Sequence, residues 1–270
     1  PGGADTSMFL VSHGRERRAL RVFAVGEGER ARREVEAMRL ASAGGIPTPS
    51  VPAEAEVHGR PCLVAQWLDG STVVDALGAG VSDAAALGAA VGEAQARLRR
   101  VAVPPTSVLR RRDWIAWMGS DDLDLAAELS RRASGGRLLH LDLHPMNVLV
   151  NDTGAVTGVL DWANAAAGDP RADFARTYSI LHLDPHVELH PELSHSRRRF
   201  ADAWEGACRA TDWDDEDLAV FFVWAGAVMV ADLLPRIRRG AAPFGEDSLD
   251  PVRKWAARWR RRCGLGPAAV

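Results

Sequence analysis

The sequence predicts an α+β chain of two unequal lobes, a small β-rich lobe with one helix followed by a larger, mainly helical one. Three features predict this. Short β-rich runs about polar reversals fill residues 1–68, apolar residues at helical spacing dominate residues 69–270, and one β island at 138–162 interrupts the helices. With 270 residues, 47% hydrophobic and 26% charged, the chain is large and apolar enough for a real core, which excludes a disordered or disulfide-stapled chain.

The elements follow in order. Residues 8–24 read MFLV, SHGRER, ALRVFA, a β-hairpin about a polar turn. Residues 29–41 place Val35, Met38 and Ala41 on one face of an amphipathic helix, which Gly44-Gly45 and Pro47 end. Residues 51–68 hold a strand, a turn at His58-Gly59-Arg60-Pro61 and the apolar run Cys62-Leu63-Val64-Ala65. Beyond them, Leu87, Ala90, Val91, Ala94 and Leu98 predict a helix over 83–103 that Pro104-Pro105 stops. Helical patterns return at 123–133, 172–183, 197–210, 216–234 and 251–263. The apolar run 218–231 is shorter than the roughly 20 residues of a membrane span and predicts a buried core helix.

The net charge of −3 supplies no excess positive field for a phosphate backbone, so no nucleic-acid partner is expected. Cys62, Cys208 and Cys263 are widely spaced, with no CxxC and no histidines at zinc spacing. They predict a reducing compartment. No positive start with an apolar stretch marks a secretory signal, so the expected setting is the cytoplasm, without a membrane partner, as a monomer or homodimer.

Within the β island, strands at 147–150 and 156–160 flank the turn Asn151-Asp152-Thr153-Gly154, which brings the residues before and after the hairpin together. Before it stand His140, Asp142, His144 and Asn147, and after it Asp161. A carboxylate that accepts a hydroxyl proton, beside an amide and a second carboxylate that hold Mg²⁺ on phosphates, is the set that phosphoryl transfer requires. The competing reading makes these residues turn and hairpin caps. Asp169 and Asp173 read as helix-capping residues, the histidines at 182, 186, 190 and 195 as a surface or substrate-lid loop, and Trp255 and Trp259 as packing residues. His144 reads equally as loop packing or as a substrate contact.

The spacing His140-x-Asp142-x-x-x-x-Asn147 followed by Asp161-Trp162 resembles the aminoglycoside phosphotransferase and choline kinase family, a branch of the protein-kinase-like fold. The string HLDLHPMNVLV is similar to that family's H-G-D-x-H-x-x-N loop, and VLDWANAAAGDPRADFA to its metal-binding Asp segment with G-D-P-x-x-D. The resemblance implies a bilobal kinase-like fold in which Asp142 is the catalytic base, Asn147 and Asp161 bind Mg²⁺, and His140 is a structural hydrogen-bonding residue. It places Gly3 and Ser7 in the phosphate-covering loop, Arg21 at the phosphate-binding cation, Glu34 (alternatively Glu36) as its helix partner, and Gln66 to Leu68 at the adenine-binding hinge. The activity implied is transfer of the γ-phosphate of ATP or GTP to a small-molecule hydroxyl, such as that of an aminoglycoside or macrolide. An acidic pocket would favour a polycationic acceptor, and an apolar pocket rich in tryptophan a macrolide-like or aromatic one.

The sequence departs from the family pattern at three places. Arg21 stands where lysine is usual, and arginine binds phosphate as a planar fork rather than a point charge. Leu141 stands where glycine is usual, and the chain begins inside the phosphate-covering loop, so that a first strand would precede it. Arg21 and the short N-terminus motivate an alternative, a catalytically silent kinase-like nucleotide-binding module that acts through protein contacts. A protein kinase ranks lower, because Asp-Phe-Gly and Ala-Pro-Glu segments are absent.

Overall fold

A computed structural model describes residues 6–80, 83–119 and 121–267. The short β-rich runs at the start form β1 (Ser7–His13) and β2 (Glu16–Val22), antiparallel and joined at Gly14, with Arg21 opposite Met8. The next strands, β3 (Ala53–Val57) and β4 (Arg60–Gln66), complete an antiparallel sheet of order β1-β2-β4-β3. Helix α1 (Gly28–Ala43) packs its apolar face on this sheet, where Phe23, Ala31, Val35 and Leu63 form a small separate core. Glu34 is buried on that same face among Ala31, Val35 and Met38.

The remainder is mainly helical. After β5 (Ser71–Thr72) and the short α2 (Val73–Ala79) come α3 (Ala84–Leu98) and α4 (Leu123–Arg132). The β island yields β6 (Arg137–Leu139), β7 (Val148–Val150), β8 (Val156–Val159) and β9 (Ala166–Gly168). β7 pairs with both β5 and β8, while β6 pairs with β9. Four helices follow: α5 (Pro170–Leu183), α6 (Ser194–Cys208), α7 (Asp215–Arg238) and α8 (Asp250–Arg262). The sheet-first, helices-second order is therefore the α+β, protein-kinase-like order expected from the sequence.

Two details set the position of the site. Val159 donates its N–H to Pro47 O (2.8 Å) and accepts at its own carbonyl from Thr48 Oγ1 (3.2 Å), so the segment after α1 is tied to β8. Helix α6 lies hard against α3, because a Cβ on Gly88 would stand 2.1 Å from Phe200 O. Asp214 caps α7 in a capping box with Asp217, the end to which the acidic run 212–217 is put. Helix α7 extends beyond the expected 216–234 in both directions. Among the described residues it is the one helix long and apolar enough to cross a membrane, yet 67% of its most apolar window is buried inside this fold. Trp255 and Trp259 pack from α8 against Phe222 of α7, as their helical spacing predicts.

Candidate active site

The loop between β6 and β7 is organised by its own backbone. His140, fully buried, accepts the Asp142 N–H at Nδ1 (3.3 Å), and its Nε2 lies 2.9 Å from Leu160 O. The network thus assigns the Nε2–H tautomer, with the ring tying the loop to the residue before Asp161. Asn147 donates from Nδ2 to Asp142 O (2.9 Å), and its own carbonyl accepts the Leu160 N–H (2.8 Å). These bonds hold Asp142, Asn147 and Asp161 at one end of the β7–β8 hairpin. The Asn147 amide nitrogen also lies 3.1 Å from His144 Nε2, which is 3.8 Å from Asp142 Oδ1. Burial pushes the His144 imidazole below its ordinary range, against the pull of Asp142.

Leu141 adopts φ 64° and is fully buried, so the leucine occupies the left-handed conformation that glycine would take at lower cost. The loop backbone is retained despite the substitution because Asp173 holds it: Oδ1 accepts the N–H of His140 (2.8 Å) and of Leu141 (2.6 Å), and Oδ2 accepts Gln95 Nε2 (2.9 Å). This corrects the capping role expected of Asp173. Burial pushes its carboxyl up, against the backbone and side-chain donors that favour the charged form. Asp169 is the cap of α5, accepting from Arg171 N (2.9 Å), and additionally from Ser134 N (2.7 Å).

Asp161 also sits at positive φ (58°), a conformation aspartate tolerates better than most residues, and about half of its side chain is exposed. Arg21 Nη1 reaches it at 3.6 Å and bonds Glu34 Oε2 at 2.8 Å. Arg30 Nε lies 3.5 Å from the other Glu34 oxygen. Glu36 turns elsewhere and accepts the Val108 N–H (3.2 Å), which leaves Glu34 as the partner of Arg21. Ser7 is an exposed residue at the start of β1, whereas Gly3 lies outside the described residues. Gln66 ends β4, exposed, with its N–H on Ser50 O (2.8 Å). Leu68 packs over Gly158, where an added Cβ would stand 2.6 Å from its Cδ1.

Burial pushes the Glu34 carboxyl from 4.5 up to about 7, against the pull of Arg21 and with a push from Asp161. The folded value lies above the unfolded one, so the folded chain holds a proton the unfolded chain has released. This group's contribution to stability is full below 4.5 and declines as pH rises to about 7. In urea unfolding followed from about pH 4.5 to about pH 8, Glu34→Gln is expected to remove a slope worth on the order of 1–3 kcal/mol. Identical slopes in both proteins would refute this origin.

Residues 1–214 match the family model described as the phosphotransferase enzyme family. The chain belongs to this family. Among solved structures, Plasmodium vivax ethanolamine kinase superposes with a TM-score of 0.59 at 11% identity, covering 96% of this chain and 80% of that one. The aminoglycoside phosphotransferase APH(3'')-Id of Streptomyces rimosus, solved with ADP and streptomycin, gives 0.54 at 16% identity, covering 84% and 94%. At such identities these two show a shared fold. An uncharacterised Bacillus subtilis protein, YcbJ, is 51% identical over 44 residues, 16% of this chain and only 14% of that relative's length. The family match stops before α7 and α8.

A cavity of about 830 Å³ opens beside Asp142 and His144. Its walls come from α2, α5, α6 and α7 and from the turns at 184–193; of the histidines read as a surface or substrate-lid loop, His186 and His190 line it, while His182 lies on α5 and His195 on α6. Among the described residues no three His, Cys, Asp or Glu side chains form a metal site of their own. Sequence reasoning missed four residues here, Arg112, Trp117, Arg176 and Asp232. Arg112 donates to Ala163 O (3.0 Å) and Asn164 Oδ1 (3.2 Å) in the turn after Asp161. Its guanidinium and that of Arg176 each lie 5.3 Å from the Trp117 ring centre. Asp232 accepts both Arg176 Nη2 (2.8 Å) and Trp117 Nε1 (3.0 Å). A charged residue at 176, close to Phe174, Ala175 and Tyr178 on α5, was the signal available in the sequence.

Proposed function

We propose that this phosphotransferase-family enzyme moves the γ-phosphate of ATP or GTP to a hydroxyl group of a small molecule. The observation that carries the reading is the hydrogen-bonded convergence of Asp142, Asn147 and Asp161 beside the Arg21–Glu34 bridge. Asp142, a quarter exposed at the mouth of the cavity, orients the acceptor hydroxyl and takes its proton at a carboxylate oxygen. Arg21, held by Glu34, presents its guanidinium to the nucleotide phosphates. The backbone from Gln66 to Leu68 forms the adenine-facing hinge through the groups beyond the Gln66 N–H, which Ser50 O takes, and Ser7 and Gly3 belong to the cover over the phosphates.

The donor set fits Mg²⁺. With Asn147 Nδ2 spent on Asp142 O, its Oδ1 remains for a cation, and the half-exposed Asp161 carboxylate supplies the charged ligand. A carboxylate and an amide without further protein ligands suit a hard cation that takes its remaining oxygens from phosphates and water. When bound, Mg²⁺ neutralises charge on the transferred group. The three unpaired cysteines accord with a reducing, cytoplasmic setting in which nucleotide and Mg²⁺ are supplied.

Calorimetric titration of ATP and GTP with Mg²⁺ tests the reading. Wild type is expected to bind one or both, and Asp161→Ala to weaken binding by about tenfold or more, since one charged ligand of the metal is lost. Folded wild type that binds neither nucleotide would refute the activity.

A further inference from the structure

We infer that the cavity beside Asp142 takes an alcohol with a largely apolar body and an uncharged or anionic oxygen function near the reacting hydroxyl, and that Arg176 is the specificity-determining residue that rejects an amine there. This rests on the phosphotransferase reading of the same site and names the class of acceptor for it.

The walls set the body of the acceptor. Leu77, Ile180, Val187, Leu189, Phe200 and Met229 all face the cavity, so an acceptor that fills it gains by removing apolar surface from water. A sugar bearing several ammonium groups would lose water there without equivalent partners.

The charges set its functional group. Besides Asp142, two carboxylates line the cavity, and both are already engaged. Asp232 is taken by Arg176 and Trp117, while Asp184 accepts the His186 N–H (2.9 Å) and lies 2.7 Å from its ring Nδ1. Against them stand Arg176, Arg197 and Arg236, so the lining carries no net negative charge to draw in a polycation. Arg176 and Asp232 line the same cavity as Asp142 and His144 of the catalytic loop.

Arg176 is also incompletely satisfied. It is 6% exposed, yet Nε and Nη1 have no hydrogen-bond partner and are closed off from water. Leaving guanidinium donors in that state is costly, and turning the group on the Trp117 face toward an acceptor oxygen, carbonyl or carboxylate, removes the cost. An ammonium entering beside Asp142 meets a like charge instead.

The test uses two probes of one chain length and opposite charge, each with its charged group two carbons from the hydroxyl and an apolar tail beyond it, 3-hydroxydodecanoate and 1-aminododecan-3-ol. Each is titrated calorimetrically into the full chain with MgADP present, and each is assayed for stimulation of ADP formation from MgATP. Wild type is expected to bind the hydroxy acid about tenfold or more tighter than the amino alcohol, and Arg176→Gln to bring the two within about threefold. Equal or tighter binding of the amino alcohol to wild type overturns the inference, as does failure of the hydroxy acid to bind at millimolar concentration. The wild-type comparison needs no variant and stays decisive if Arg176→Gln misfolds. A parallel MgATP titration separates the two claims. Absent MgATP binding refutes the phosphotransferase reading, whereas intact MgATP binding with an amine preference overturns only the acceptor class and the role of Arg176.

Discussion

Asp142→Asn is expected to slow phosphoryl transfer by about a hundred- to ten-thousand-fold while leaving nucleotide binding within about threefold of wild type. The amide is nearly isosteric and cannot take the acceptor's proton. The contacts that shape the loop run through the residue's backbone, from its N–H to His140 and from its carbonyl to Asn147, and they survive the change. Loss is therefore expected in kcat, with KM for nucleotide little affected. ADP release coupled to a spectrophotometric readout, with any active acceptor, measures it. A variant that turns over at the wild-type rate would place the base elsewhere.

The largest stability effect is expected at Asp173, which is buried and does not line the cavity beside Asp142. Asp173→Ala strips acceptors from two backbone N–H groups and the Gln95 amide at a position 4% exposed, and should cost about 3–5 kcal/mol. Part of that arises next door. Leu141 is held in a conformation that costs an L-residue about 1–2 kcal/mol, and Asp173 is what holds it. Once the bonds are gone the loop relaxes, and Asp142 is displaced with it. Asp173→Asn, which keeps one acceptor oxygen, should fall between wild type and alanine in both urea midpoint and kcat. An alanine variant within about 1 kcal/mol of wild type would show that the loop does not depend on this tether.

Much of the fold was legible because it rests on local periodicity. The hairpin at β1–β2, the amphipathic α1, the β7–β8 hairpin and the five later helices all carry their apolar spacing in contiguous text, and the proximity of Asp142, Asn147 and Asp161 follows from one short turn. What escaped was short or distant. Helix α2 has seven residues, too few for a period to emerge, and β9 is the strand Ala-Ala-Gly, with no β-branched or aromatic side chain. The helix expected over 83–103 ends at Leu98, where the chain turns out to pair Leu138 N–H with Val101 O. Asp173 was read as a cap because aspartates near a helix start usually are. Its true partners, His140 and Leu141, lie more than thirty positions earlier. The cavity beside Asp142 was least legible, since Arg176 and Asp232 meet across 56 positions from two helices, the second beyond the family match.

The ring of Trp117 has a further consequence for how this sequence can diverge. Two guanidinium groups lean on it, and its indole nitrogen shares Asp232 with one of them. Losing the ring alone would leave two cations without their shared neutral neighbour, and losing Asp232 alone would leave the buried Arg176 without its counter-charge. Positions 112, 117, 176 and 232 are therefore expected to drift as a linked set among descendants of this chain, with single exchanges rare and concerted ones common. Where that set is replaced wholesale, the cavity beside Asp142 loses the guanidinium, carboxylate and indole that now line it.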